Sequence, residues 1–290
     1  MKPASFELLQ PTTRAEALTL LAEAPDDTVI LAGGQSLVPL MNMRFVVASR
    51  VLDLNRVNEL EGIERQNGAL VVGAMTRHRE AELSELVHAH CPLLAQAERH
   101  VGYVSIRNRG TVGGTIAHAD TVGQVPCVAV ALDAQVVLES TRGRREMAAS
   151  EFFVGNLTNA RDPDEILTAV HLPVRPAGSA SGFAEFARKV GDFPLLTAAV
   201  QIERDAGQCS GARIAVGGAA PTPIRLPECE AALAGQTLND SLVADVAALA
   251  AECVEPSETP FVSGDYRRHL AGVVVRRSLE QALSDGEEGI

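Results

Sequence analysis

Two glycine pairs carry the strongest chemical signal in this sequence. The first sits in TVILAGGQSLVPLMNMR, Thr28 to Arg44, where an apolar run stops at Gly33-Gly34 and no charge follows until Arg44. The second sits in RGTVGGTIAHAD, Arg109 to Asp120, where Gly113-Gly114 follow Val112 and precede Thr115. Both run apolar, Gly, Gly, polar, apolar. Glycine permits positive φ and removes the Cβ that would keep a ligand off the backbone. Successive N–H groups can then point into one concavity and cradle an anion. Ser36 or Thr115 can donate an O–H and lead into a helix whose N-terminus favours negative charge. Neither GGQS nor GGTIAHA contains Lys or Arg, so an anion here would be met by backbone dipoles. Hydrogen bonds to a charged group contribute about 1.5–3 kcal/mol each, enough for two such loops to offset the desolvation of a phosphate. A glycine pair after a strand also serves simply as a turn, and the recurrence is what favours a ligand. The chain has no G-x-G-x-x-G and no G-x-x-x-x-G-K-[ST], which argues against a Rossmann site and a nucleotide-hydrolysing loop. The residues themselves read as a site for a phosphorylated cofactor.

Other reactive groups have plainer readings. His88 and His90 are two apart and share no helix face, so they make no metal pair. His118 is near Asp120 and the second glycine pair, and is better read as a hydrogen-bonded structural residue. Asp162, Asp164 and Glu165 in ARDPDEIL invite an acid–base role, but a polar turn before a strand explains them. Arg142, Arg144 and Arg145 read as a solvated hairpin tip. No Ser/His/Asp arrangement has supporting context, so no catalytic or metal-binding residue is assigned. The five cysteines are scattered, with none in C-x-x-C, so this chain carries no zinc or iron–sulfur ligand run. An odd number argues against a disulfide framework and for buried thiols in a reducing cytoplasm.

The elements that must position the glycine pairs are legible in part. Residues 12–24 form an amphipathic helix capped by Thr12 or Thr13, with Ala17, Leu18, Leu20 and Leu21 as its stripe. Strands are expected at 29–32 and 51–54, with a short helix from Ser36 between them. A second block has a strand at 69–73, helices near 76–88 and 93–100, and a buried helix at 126–134. Strands at 135–139, 146–149 and 166–172 complete it, the first two joined by a turn at 141–144. Pro173, Pro176 and Gly178 mark a boundary. Strands follow at 183–190, 196–203 and 212–217, then helices at 227–234, 239–254 and 264–284. Three units result: 1–58, 59–176 and 177–290. The net charge of −12 and the absence of Trp exclude nonspecific nucleic-acid binding and base-stacking platforms. No apolar run is long enough for a signal peptide or a membrane span.

LAGGQSLVPLMNMR, RNRGTVGGTIAHAD and KVGDF, in that order and spacing, resemble the FAD-binding medium subunit of molybdenum hydroxylases. That family includes carbon monoxide dehydrogenase, xanthine dehydrogenase and bacterial N-heterocycle hydroxylases. The resemblance covers about residues 3–280, including PTPIR and the closing YRRHLAGVVVRRSLEQAL. It implies an α+β chain: a vanillyl-alcohol-oxidase-type (PCMH-type) flavin fold of two α/β subdomains, then a C-terminal domain with a three-stranded antiparallel sheet and helices. It implies that Leu31, Ala32, Gly33, Gly34, Gln35, Ser36 and Leu37 form one FAD pyrophosphate loop. Thr111, Val112, Gly113, Gly114 and Thr115 form the other, and Asp120 lies near the ribityl and phosphate region. Gln124 stands where the family usually has a second Asp, and Thr121 where it often has Pro. Lys189, Asp192 and Phe193 match the segment that approaches the isoalloxazine. Lys189 there would stabilise the anionic reduced ring or be simply a surface strand lysine, and Phe193 would cover the ring or join the core.

The resemblance implies a cytoplasmic electron-transfer subunit. Its partners would be a small subunit with two-iron iron–sulfur clusters and a large molybdopterin subunit, in a dimer of heterotrimers. A stand-alone FAD oxidoreductase, or a nucleotide-binding module without redox role, are the alternatives. Gly33→Val or Gly114→Val is expected to abolish FAD retention while leaving the fold largely intact.

Overall fold

Three β-sheets, each with its own helices, follow one another along the chain in the computed structural model, which describes residues 2–205 and 207–285. Met1, Ala206 and residues 286–290, within the expected first and third units, lie outside the described residues.

The first sheet is parallel, with β1 (Glu7–Leu9), β2 (Thr28–Leu31) and β3 (Arg50–Asp53) in the order β1-β3-β2. Parallel neighbours need crossovers, and helices α1 (Arg14–Glu23) and α2 (Leu37–Asn42) provide them. The Thr13 hydroxyl caps α1 by accepting the Glu16 N–H. Ala17 and Leu21 bury against Leu52 and Leu54. β1 escapes the sequence reading because three residues carry no detectable period.

The second sheet begins after a 3-10 turn at Asn58–Leu60 with β4 (Ile63–Gln66) and β5 (Ala69–Gly73). Six helices follow: α3 (His78–Leu83), α4 (Glu85–His90), α5 (Pro92–Glu98), α6 (Val104–Arg107), α7 (Val112–His118) and α8 (Gln124–Ala131). Then come β6 (Gln135–Ser140), β7 (Gly143–Ala148), a short α9 (Ala149–Phe152), the ribbon of β8 (Phe153–Gly155) and β9 (Thr158–Asn159), and β10 (Ile166–Pro173). The order is β4-β5-β10-β6-β7, antiparallel throughout. Every residue of α8 is buried, as its uninterrupted apolar run requires. The turn between β6 and β7 pairs with the acidic turn before β10. Arg142 bonds Asp162 and Asp164, and Arg145 bonds Glu165 through both carboxylate oxygens. These carboxylates therefore hold two turns together, the structural role expected of them.

The third sheet is antiparallel: β11 (Ala180–Ala187), β12 (Pro194–Asp205), β13 (Gln208–Gly217) and β14 (Ile224–Arg225). The expected three strands gain a fourth of two residues, from the PTPIR segment. Pro221 and Pro223 have no N–H to donate, so only Ile224 and Arg225 pair, and so short a strand shows no alternation. Helices α10 (Pro227–Leu233), α11 (Asp240–Glu252) and α12 (Gly264–Asp285) cover one face through Val246, Leu270, Val274 and Leu279. Phe183, Ala199 and Ala215 on the other face join the cluster that contains α5 and α8. Burial on both faces explains why these strands read as near-continuous apolar runs.

Among the described residues no helix is long and apolar enough to cross a membrane. All five cysteines are unpaired, and four are buried.

Candidate functional site

The two glycine turns, far apart in sequence, meet. The first follows β2, and the second forms the first turn of α7. A Cβ at Gly33 would stand 2.4 Å from the Arg109 carbonyl oxygen and 2.6 Å from the Gly110 α-carbon. A Cβ at Gly113 would stand 2.4 Å from that of Ala74, and one at Gly114 would reach 3.4 Å from that of Ala32. Gly34 has φ +74°, where only glycine is at ease. The glycines thus let backbone segments touch one another, a demand the sequence motif does not reveal.

Donors divide unequally between the turns. Among the described residues the N–H groups of Gly33, Gly34, Gln35, Ser36 and Leu37 have no protein acceptor, since the hydrogen bonding of α2 starts with Val38 N–H donating to Gly34. Ser36 precedes α2, but its side chain makes no capping bond. Gln35 folds its amide onto the Gly33 carbonyl at 3.0 Å. In the second turn the chain uses its own donors. Val112 N–H bonds Thr76, Gly113 N–H bonds Ala74, Gly114 N–H bonds the Thr111 hydroxyl, and Thr115 N–H bonds the Thr111 carbonyl. The expectation that both turns offer several free N–H groups therefore holds for the first turn only.

A cleft of about 520 Å³ opens beside the first turn. It is lined by Leu31 to Gln35 and Val38 on one side and by Asp53, Asn55, Arg77 and Arg109 on the other. Two arginines stand beside the backbone donors expected from the motifs. Among the described residues neither forms an ion pair within 4.0 Å, although the chain is acidic. Arg77 donates to the Arg109 carbonyl and, at 2.8 Å, to Asn55. Asn55 in turn donates to the Ala32 carbonyl at 2.9 Å and to Asp53. Burial and the nearby Arg109 guanidinium push the Arg77 pKa down, as expected of a cation short of a counter-charge. For Asp53, burial acts to raise the pKa. It is outweighed by hydrogen bonds from Asn55 and Gln10 and by the charge of Arg56, which hold the carboxyl low.

The remaining expected site residues lie around this cleft rather than in it. Thr115 is half-buried on α7, its Oγ1 2.7 Å from Nε2 of the buried His78. His78 Nδ1 lies 2.8 Å from Oε2 of Glu98, which is fully buried. Asp120 Oδ1 accepts the Val122 N–H and shapes the entry to α8. Gln124 is buried, its amide donating to Glu185 at 2.8 Å and to the His100 carbonyl. Lys189, Asp192 and Phe193 occupy the tip between β11 and β12. Phe193 is 72% exposed there rather than part of the core, and Gly191 lies on the Tyr103 ring. His118, expected to be hydrogen-bonded, has no hydrogen-bond partner among the described residues, whereas His78 and His88 do.

Asp53, Asn55, Arg77, His78 and Glu98 carry no motif that singles them out. Arg77-His78 lies one turn of chain after β5, and only the fold shows that this segment runs beside Gly110 and Thr111. The cleft offers anion donors and no free nucleophile or general base. No group of three or more His, Cys, Asp or Glu side chains among the described residues is placed to hold a metal.

Residues 4–175 match the family described as FAD binding domain in molybdopterin dehydrogenase. Residues 144–282 match the CO dehydrogenase flavoprotein C-terminal domain. The chain is 38% identical over 284 residues to 6-hydroxypseudooxynicotine dehydrogenase complex subunit alpha of Paenarthrobacter nicotinovorans, covering 98% of this chain and 96% of that one. It is 34% identical to the carbon monoxide dehydrogenase medium chain of Hydrogenophaga pseudoflava, covering 97% and 98% respectively. A crystal structure of carbon monoxide dehydrogenase from Hydrogenophaga pseudoflava superposes with TM-score 0.94 at 36% identity, covering 98% and 99% of the two chains. Quinoline 2-oxidoreductase from Pseudomonas putida 86 superposes with TM-score 0.93 at 34% identity, covering 99% of each.

Proposed function

This chain belongs to the FAD-binding medium subunits of the carbon monoxide dehydrogenase and xanthine dehydrogenase family, and on that premise we propose how its own residues hold FAD and where it works. The residues fit the cofactor. A nucleotide pyrophosphate needs several donors and positive charge, and the first glycine turn, with five free N–H groups from Gly33 to Leu37, borders a cleft that two guanidinium groups without ion pairs also line. That combination carries the reading. Gly33 to Leu37 hold the pyrophosphate through the backbone, and Arg77 and Arg109 balance its charge. Thr111 to Thr115 lie beside the cleft, fixed by their own hydrogen bonds, with the Thr115 hydroxyl as their donor to the cofactor. Asp120 and Gln124 brace the chain beyond that turn. The tip bearing Lys189, Asp192 and Phe193 covers the flavin end, Lys189 supplying positive charge and Phe193 an apolar lid. Bound FAD supplies the redox chemistry, accepting electrons and passing them on.

The chain assembles with a small iron–sulfur subunit and a large molybdopterin subunit as a dimer of heterotrimers. Electrons reach it from the clusters, and it delivers them to an external acceptor. The lack of any cysteine or histidine cluster among the described residues fits clusters carried elsewhere. We place the complex in the cytoplasm, on five unpaired cysteines in a chain of this size.

The test is the absorption spectrum of the purified chain, with chromatography of any released cofactor. Flavin bands and released FAD, without broad iron–sulfur absorption, support the reading. A colourless chain that takes up no added FAD overturns it.

A further inference from the structure

Behind the second glycine turn lies a relay that the cofactor loops do not account for. Glu98 on α5 is fully buried and His78 at the start of α3 is 1% exposed, and they meet at 2.8 Å. Oxygen Oε1 of Glu98 has no hydrogen-bond partner, so His78 is the one group among the described residues that compensates this carboxyl. A buried carboxylate without a counter-charge is costly, whereas a carboxylate–imidazolium pair is neutral overall. The other ring nitrogen, Nε2, faces Thr115 Oγ1 at 2.7 Å. A Cβ at Gly110 would stand 2.8 Å from His78 Cδ2, so that glycine leaves room for the ring beside the segment leading into the turn.

The protonation of that ring decides what Thr115 can do. A neutral imidazole protonated on Nδ1 has an acceptor at Nε2 and takes the Thr115 hydroxyl hydrogen for itself. An imidazolium donates from Nε2 to Thr115 Oγ1, which leaves the hydroxyl hydrogen for an outside acceptor. The backbone N–H groups of Val112 to Thr115 are already bonded within the protein. The hydroxyl is therefore the donor this turn has left to offer.

We propose that Glu98 and His78 are positioning residues for FAD: the buried pair turns the Thr115 hydroxyl outward as a donor to a phosphate oxygen. This rests on the FAD reading above. The pair does not touch the cofactor and acts through Thr115 alone.

A double-mutant cycle in the full chain tests it. FAD affinity of the stripped protein is measured by quenching of flavin fluorescence, and bound FAD is examined by phosphorus NMR. Thr115→Val is expected to weaken FAD about 10- to 100-fold, and Thr115→Ser to restore it. Glu98→Gln keeps the side-chain shape and an acceptor for Nδ1 but removes the charge. It is expected to weaken FAD about as much as Thr115→Val, yet to have little further effect in the Thr115→Val background. The phosphorus resonances move in Thr115→Val and Glu98→Gln and not in Thr115→Ser. A structural role for the pair would lower thermal stability without this coupling. Unchanged affinity in Thr115→Val, or full additivity of the two losses, overturns the inference while leaving the FAD reading intact. A wild-type chain that takes up no FAD overturns both.

Discussion

Gly33 lies directly on the carbonyl of Arg109, with no room between them for a Cβ. This contact joins the first glycine turn to the segment that leads into the second. Gly33→Ala should therefore part the two turns rather than merely crowd the ligand. We expect a loss of stability of about 1–3 kcal/mol, typical of overpacking, and at least tenfold weaker FAD binding. Gly33→Val should be worse on both counts, which revises the expectation that the fold tolerates it. Thermal unfolding of the stripped chain and FAD titration read the two effects. Wild-type stability in Gly33→Ala would contradict this packing.

Arg77 combines a charge facing the cleft with a hydrogen bond to Asn55. Arg77→Gln should weaken FAD about 10- to 100-fold, in line with loss of a bond to a charged group. It should also flatten the dependence of affinity on salt. Arg77→Lys keeps the charge but not the fork to Asn55 and the Arg109 carbonyl, so it should recover only part of the loss. Titrations at two ionic strengths check this. A Gln variant with the wild-type salt dependence would remove Arg77 from the site.

We expect Asp53 to link pH to cofactor retention through Asn55, which holds the Ala32 carbonyl. Burial would raise its pKa, but hydrogen bonds from Asn55 and Gln10 and the charge of Arg56 leave it lowered. A carboxyl with a lowered folded pKa contributes stability that is fully present above its unfolded value, about 4. That stability is lost as pH falls through the folded value. FAD retention should thus be insensitive to Asp53 titration from pH 7 to pH 5 and fall only below about pH 4. Asp53→Asn should remove this part of the acid dependence. Flavin fluorescence during acid titration of both proteins would show it, and identical acid limbs would refute it.

Gln124 departs from the Asp expected by resemblance, and its surroundings explain the change. Its amide donates to Glu185, which also lies 3.3 Å from His100. Gln124→Asp would set two carboxylates against each other in a largely buried place. We expect a cost of about 1–3 kcal/mol in thermal or denaturant unfolding at neutral pH. Adding Glu185→Gln should restore most of it, and a neutral Gln124→Asp would show that the pairing contributes nothing.

What the sequence could show was local. The glycine pairs, the Thr13 cap, the charge-free α8 and the apolar stripe of α12 each follow from residues within a few positions of one another. Period, capping and turn chemistry act over that range, so these elements and the first glycine turn were legible. The family motifs, fixed in order and spacing, added the cofactor and its partners. Tertiary structure alone decided which donors remain free. The second turn has the same glycines as the first, but Ala74, Thr76 and Thr111 take its N–H groups. Arg77 reaches the cleft because the segment after β5 runs beside Thr111, and Glu98 reaches His78 because α5 packs on α3. Hydrogen-bond satisfaction and charge pairing join residues distant in the chain, and a site built by that pairing has no spacing to read.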